Sequence, residues 1–211
     1  CLSRIPGDER SKICTPQETL KNGSDIATLV AHAFREMAKA SDIAIQNGGG
    51  VRTDISSGDI TMGDAYKLLP FANTLVEMDM SGAEIKLVLE EAIEYALQPD
   101  GSDGAFPYAA GLRWHVDSTR ASGNRLSKME YKGRSDADWV PLNMEKMYRI
   151  VTNNYIAAGR DGYLSFKTVK DDGRFEDTYL DYAQSFVDYV KDRGSIAKLP
   201  FSEYSTQSFV K

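Results

Sequence analysis

Four short stretches of this sequence carry residue types suited to holding a small ligand. In "NGGGVR", residues 47–52, three consecutive glycines stand between Asn47 and Arg52. Glycine serves where φ is positive or where another group must approach the main chain closely, and its loss of backbone entropy demands some such reason. Gly49 and Gly50 would let a ligand lie against backbone N–H groups, with the planar fork of Arg52 offered to a phosphate or another oxyanion. A tight structural turn explains the same residues equally well. In "LLPFAN" Phe71 occupies a turn after Pro70, with Asn73 two residues on; a core plug is the simpler reading of such a ring. In "NNYIAAGRDGY", residues 153–163, Tyr155 follows a strand-like run and Asp161 lies six residues later. Stacking of a base on the ring and acceptance of ribose hydroxyls by the carboxylate would suit a nucleoside, and an ordinary Asp-Gly turn is the alternative. Gly104, in "GAFP", matters only if its turn lines the same cleft.

Other chemistries find no support. His32 and His115 are the only histidines, so neither a histidine-rich dimetal cluster nor an H-E-x-x-H site can be assembled. The glycine run is neither G-x-G-x-x-G nor a P-loop, G-x-S-x-G is missing, and no carboxylate pair can be assigned to one cleft.

The elements that must position these stretches follow from periodicity. Ser24 caps a helix whose apolar face is Ile26, Leu29, Val30, Ala33, Phe34 and Met37. Residues 42–46 form a buried strand running into the glycines, and a short helix closes at Pro70. Residues 73–80 alternate as a half-buried strand. Ser81 and Glu84 have capping-box spacing before a helix with Ile85, Val88, Leu89, Ala92 and Ala96 inward. Strands are expected at 112–116, 125–131 and 147–153, and a helix over 178–192 with Leu180, Ala183, Phe186, Val187 and Val190 inward. The expected class is α+β, a mixed sheet with helices packed on it, in one domain over 23–211. Residues 1–22, with Pro6, Gly7 and Pro16, form a strap or boundary segment.

The 211 residues are 42% hydrophobic and 27% charged, with a net charge of -6. That is enough to bury a core. The acidic balance argues against a nucleic acid polymer as partner, and no apolar run is long enough for a membrane span. Cys1 and Cys14 are the only cysteines. They fit a single disulfide in an oxidising compartment; two unrelated thiols, or a lipid-modified Cys1, are the other readings.

Taken together, "NGGGVR", "LLPFANTLVEMDMSGAEI", "GAFP" and "TNNYIAAGRDGY" resemble, in order and spacing, the C-terminal substrate-binding domain of the 5'-nucleotidase family, over roughly residues 2–190. The resemblance implies that Phe71 and Tyr155 sandwich a base, that Asp161 holds the ribose hydroxyls, that Arg52 meets the phosphate or its surroundings, and that Asn47 and Asn73 contact the base edge. Gly49, Gly50 and Gly104 would let the nucleotide lie close to the main chain. It also implies one or two arginines from the first segment, for which Arg4 and Arg10 are the candidates, inside the loop that a Cys1–Cys14 bridge would close. Tyr155 stands where relatives often carry Phe. Each stacked face would be worth roughly 1–3 kcal/mol. Hydrolysis of nucleoside 5'-phosphates would belong to a separate N-terminal metallophosphoesterase domain holding two divalent metals, outside these 211 residues, with this chain binding no cofactor. A periplasmic or cell-surface location follows from the same resemblance. A cyclic-nucleotide phosphodiesterase, a nucleotide-sugar or NAD pyrophosphatase and a non-catalytic nucleoside-binding module are the alternatives.

Overall fold

The computed structural model describes residues 23–211. Arg4, Arg10, Cys1, Cys14 and the strap assigned to residues 1–22 therefore lie outside the described residues.

The first helix, α1 (Asp25–Met37), starts where Ser24 accepts a hydrogen bond from the Ala27 N–H at 3.1 Å, which satisfies one otherwise orphaned donor. Strand β1 (Ile43–Asn47) follows and runs into one 3-10 turn, Gly48–Gly50. Helix α2 (Met62–Leu68) opens with a reciprocal capping box between Thr61 and Asp64. Then β2 (Thr74–Ser81) leads directly into α3 (Gly82–Leu97), where the Ser81–Glu84 capping box forms as the spacing predicts. The chain continues through β3 (Pro107–Ala110), β4 (Leu112–Asp117), β5 (Leu126–Tyr131), β6 (Val140–Pro141) and β7 (Met147–Asn153). It ends with α4 (Asn154–Ala157), α5 (Leu164–Asp171), β8 (Phe175–Asp181), α6 (Tyr182–Arg193) and β9 (Thr206–Val210).

These elements make an α+β fold with two sheets rather than the single one expected. The larger has the order β3-β1-β7-β2-β8, with β1 and β7 parallel and the remaining pairs antiparallel. The smaller, β6-β5-β4-β9, pairs β4 with β9 in parallel. β1 is buried at all five positions, so both of its faces are covered. Helices α1 and α2 each pack on α6, α3 packs on α5, and α1 and α3 also contact the large sheet.

Two expectations are corrected here. β2 is not half-buried: Leu75, Val76, Glu77 and Met78 are all buried, because β2 lies inside the sheet between β7 and β8. The last helix begins at Tyr182, capped by Asp181, and not at 178. Residues 175–181 add instead as an edge strand, and Leu180, expected inward, is 37% exposed on it. Pairing with β2 outweighs the local helical period there. Ala183, Phe186 and Val187 are buried as expected.

Candidate functional site

The sheet topology brings the four stretches together. Because β1 and β7 run parallel, their C-terminal ends, Gln46–Asn47 and Asn153, arrive at the same sheet edge. β2 is antiparallel to β7, with Leu75 opposite Asn153, so its entry at Asn73 reaches that edge too. β3 is antiparallel to β1 with Pro107 opposite Asn47, and this delivers the turn around Gly104. The outer ends of parallel strands are where open sheets carrying helices tend to bind ligands.

A cavity of about 280 Å³ opens at this edge, lined by Asn47, Gly49, Gly50, Arg52, Phe71, Asn73, Ser102, Gly104, Tyr155 and Asp161. Every site residue expected from the sequence that falls among the described residues is in that lining. Ser102 was missed. Its side chain accepts from the Gly104 N–H at 3.2 Å, and a serine two residues before a glycine is too common in turns to have stood out.

Each lining residue has a local reason for its position. Arg52 is anchored by its backbone N–H, which donates to the Leu68 carbonyl at 2.9 Å. Its guanidinium donates to the Gly49 carbonyl at 3.2 Å and lies 5.9 Å from the centre of the Phe71 ring, within cation–π range. Asn73 is pinned by its carbonyl, which accepts from the Tyr182 N–H at 3.0 Å. Phe71 and Tyr155 are 45% and 43% exposed, so neither ring is the core plug that its sequence context allowed. Asp161 has φ 53° and ψ 32°, between Gly159 and Gly162, which also have positive φ. Aspartate is among the few residues that tolerate this left-handed conformation.

The glycine run has a packing reason beside the readings that its sequence allowed. None of Gly48, Gly49 and Gly50 is in the positive-φ region. A Cβ at Gly50 would overlap the Tyr182 hydroxyl and the Gln46 amide, and one at Gly49 would stand 3.1 Å from the Gly104 backbone. The run therefore lets protein pack against protein, and the turn around Gly104 closes on β1 through the Gly48 N–H, which donates to the Phe106 carbonyl at 2.9 Å. The glycines also face the cavity.

Beneath the cavity lies a group of buried amides. Asn47 donates through Nδ2 to Asp161 Oδ2 at 2.9 Å, and the Tyr155 hydroxyl donates to Asp161 Oδ1 at 3.0 Å. Gln46 Nε2 donates to the Asn47 carbonyl at 2.9 Å and to the Tyr182 hydroxyl at 2.8 Å. Partial burial, and then the hydrogen bond to Asp161, raise the Tyr155 phenol above its ordinary pKa. Tyr155 thus stays a neutral donor at physiological pH. Sequence reading did not single out Gln46 or Asn153. The signal was present, since an amide at the end of an apolar strand must find a partner once buried.

The histidines stand apart from the cavity. His32 lies on α1 with Nε2 3.4 Å from the Glu203 carbonyl, and burial lowers its pKa. His115 lies on β4 with Nδ1 2.8 Å from the Ser208 hydroxyl. Among the described residues, no three His, Cys, Asp or Glu side chains are grouped so as to hold a metal ion. No described helix is long and apolar enough to cross a membrane.

Comparison with known proteins agrees with the family resemblance of the sequence. Residues 9–170 match the family described as 5'-nucleotidase, C-terminal domain. Over 212 aligned residues the chain is 40% identical to a Haemophilus influenzae protein named NAD 5'-nucleotidase, covering 99% of this chain and 34% of that protein. The solved structure of Haemophilus influenzae NAD nucleotidase superposes with a TM-score of 0.87 at 37% identity, over 99% of this chain and 35% of that one. A 5'-nucleotidase precursor from Thermus thermophilus gives 0.78 at 35% identity, over 89% and 36%. The chain spans about a third of the length of these relatives.

Proposed function

The chain belongs to the 5'-nucleotidase C-terminal domain family, and from that premise we propose that its cavity binds the nucleoside part of a nucleotide and selects the substrate of a 5'-nucleotidase. The observation that carries this reading is the lining itself. Two half-exposed aromatic rings from different elements, Phe71 and Tyr155, share one cavity with Asp161 and Arg52. In this reading the rings take the two faces of the base, and Asn47 and Asn73 meet its edge. Asp161, with one neutral donor already on each oxygen, keeps lone pairs for the ribose hydroxyls. Arg52 faces the phosphate, and Gly49, Gly50, Ser102 and Gly104 bound the remaining space.

The described residues offer no metal-binding group, so we assign them no step through a metal. The chain's part is to bind, orient and discriminate. Hydrolysis of the nucleoside 5'-phosphate, with the two divalent metals that the resemblance implies, belongs in this reading to a metallophosphoesterase domain of the same protein. A periplasmic or cell-surface location is part of the same proposal.

The test is calorimetric titration of the chain with adenosine, uridine and AMP, beside Phe71→Ala and Tyr155→Ala. Each truncation removes a stacking face worth about 1–3 kcal/mol, so affinity should fall tenfold or more in both. Absence of binding by the wild type, or binding indifferent to both substitutions, overturns the reading. A dinucleotide is the second reading, favoured by the 40% identity to a protein named NAD 5'-nucleotidase. NAD binding more tightly than AMP in the same titration would support it.

A further inference from the structure

Asn153 ends β7 and is 1% exposed; it does not line the cavity. Its amide is nevertheless directed at the lining residue Asn47, at Gln46 beside it on β1, and at the helix that carries Tyr155. Its Oδ1 accepts from the Ile156 N–H at 3.1 Å, capping α4, the turn of helix that bears Tyr155. Its Nδ2 donates to Gln46 Oε1 at 2.8 Å and to Asn47 Oδ1 at 3.1 Å. Asn47 then donates to one oxygen of Asp161, and Tyr155 to the other. The path closes on itself: Asn153, Asn47, Asp161, Tyr155, and back along α4 to Asn153.

The polarity of this ring is dictated by groups whose roles cannot be exchanged. A backbone N–H only donates, so the end of Asn153 facing Ile156 must be its oxygen, and the nitrogen faces the other two amides. A carboxylate only accepts, so the end of Asn47 facing Asp161 must be its nitrogen, and its oxygen faces Asn153. Both arguments meet at the same bond with the same direction. A flip of either amide would set like against like in a buried site, where an unsatisfied polar group is expensive.

We infer that Asn153 is a positioning residue that holds the Tyr155 ring and the Asp161 carboxylate in one fixed register. The inference rests on the nucleoside reading of the cavity and adds a residue that touches no ligand. Its physical content is preorganisation. Asp161 sits in a left-handed turn between glycines, and a carboxylate there would rotate freely without the donors that Asn47 and Tyr155 aim at it. Asn153 keeps the Asn47 donor facing Asp161 and fixes the start of the helix on which Tyr155 rides.

The test separates this role from simple helix capping. Asn153→Asp keeps an oxygen for the Ile156 N–H, as good a cap as asparagine, but presents acceptors to Gln46 and Asn47 where donors are required. Asn153→Ser keeps a shorter capping oxygen, introduces no charge, and serves if the aspartate variant fails to fold. Adenosine and 2',3'-dideoxyadenosine are titrated into the wild type and both variants, at a temperature where thermal melts show each folded. The expected result is an adenosine affinity about tenfold weaker in the variants, with the preference for adenosine over the dideoxy analogue collapsing toward one. Variants that melt earlier yet keep the wild-type preference would show a structural cap only and overturn the inference, leaving the nucleoside reading intact. A wild type that binds neither compound overturns the nucleoside reading, and this inference with it.

Discussion

The two edges of the five-stranded sheet treat charge in opposite ways. Toward the edge where β2 enters α3, every charged group that matters is neutralised by protein. Arg149 bridges Glu77 at 2.9 Å, Asp79 at 3.2 Å and Glu176. Glu77 is buried and also accepts from the Ser41 hydroxyl at 2.8 Å. Arg174 meets Glu84 at 2.7 Å and Asp172 at 3.3 Å. At the cavity edge, Arg52 and Asp161 form no ion pair with any described residue. Arg52 rests on a carbonyl and an aromatic ring, and Asp161 accepts only from an amide and a phenol. Among the described residues, the charges toward the first edge are held by opposite charges and those at the cavity by neutral groups, an arrangement that the proposed reading of the cavity would use.

The contrast can be broken first at the paired edge. Arg149→Met leaves Glu77 buried without its cation, and removing one partner of a buried pair is strongly destabilising. Because Arg149 is itself partly exposed, we expect a loss of about 2–3 kcal/mol in urea unfolding, with adenosine affinity changed by less than about twofold. An equal loss of affinity would mean that the two edges are not independent. The matched change at the cavity, Arg52→Met, should reverse the pattern. Stability should move by no more than about 0.5 kcal/mol, while AMP binds about tenfold more weakly and adenosine nearly as before, since a charge-assisted hydrogen bond to the phosphate is lost. Equal weakening of AMP and adenosine would remove Arg52 from the phosphate side.

The smallest effect concerns acid. Hydrogen bonding from Arg174, seconded by Ser81, pulls the Glu84 carboxyl from its ordinary 4.5 to about 2. A folded-state pKa below the unfolded one means that the unfolded chain takes up the proton first as pH falls. The stabilisation from Glu84 is thus present above about pH 4.5 and is lost toward pH 2. Glu84→Gln should flatten the pH dependence of stability in that window and alter nothing at the cavity. An unchanged slope there would show that the capping box, and not the ion pair, carries the interaction.

Much of this molecule was legible from local pattern. The caps at Ser24 and Ser81, the apolar faces of α1 and α3 and the strands at β4, β5 and β7 depend on residues a few positions apart, and they formed as their spacing predicts. The final helix was read too long because residues 178–181 fit a helical period, and only the pairing of β8 with β2, about a hundred residues earlier in the chain, makes them part of a strand. The same limit applied at the cavity. Asn47, Arg52, Phe71, Asn73, Gly104, Tyr155 and Asp161 could be named from their types and from family resemblance, whereas Gln46, Ser102 and Asn153 were not, and for the two amides the sequence signalled only that some partner was needed. Nothing in their immediate neighbours reveals which distant group each amide or hydroxyl will meet.

By itself the sequence determined the helices and strands whose periods and caps are local, their apolar faces, and which side chains have rings, donors and acceptors suited to a nucleoside. Tertiary structure alone decided that these side chains share one cavity and that the glycine run serves protein packing. It also decided that, among the described residues, Asp161 has neutral hydrogen-bond partners while Glu77 has a cation. The physical reason is that periodicity and capping act between residues close along the chain, whereas strand register, burial and hydrogen-bond polarity arise between residues that only the folded sheet brings together.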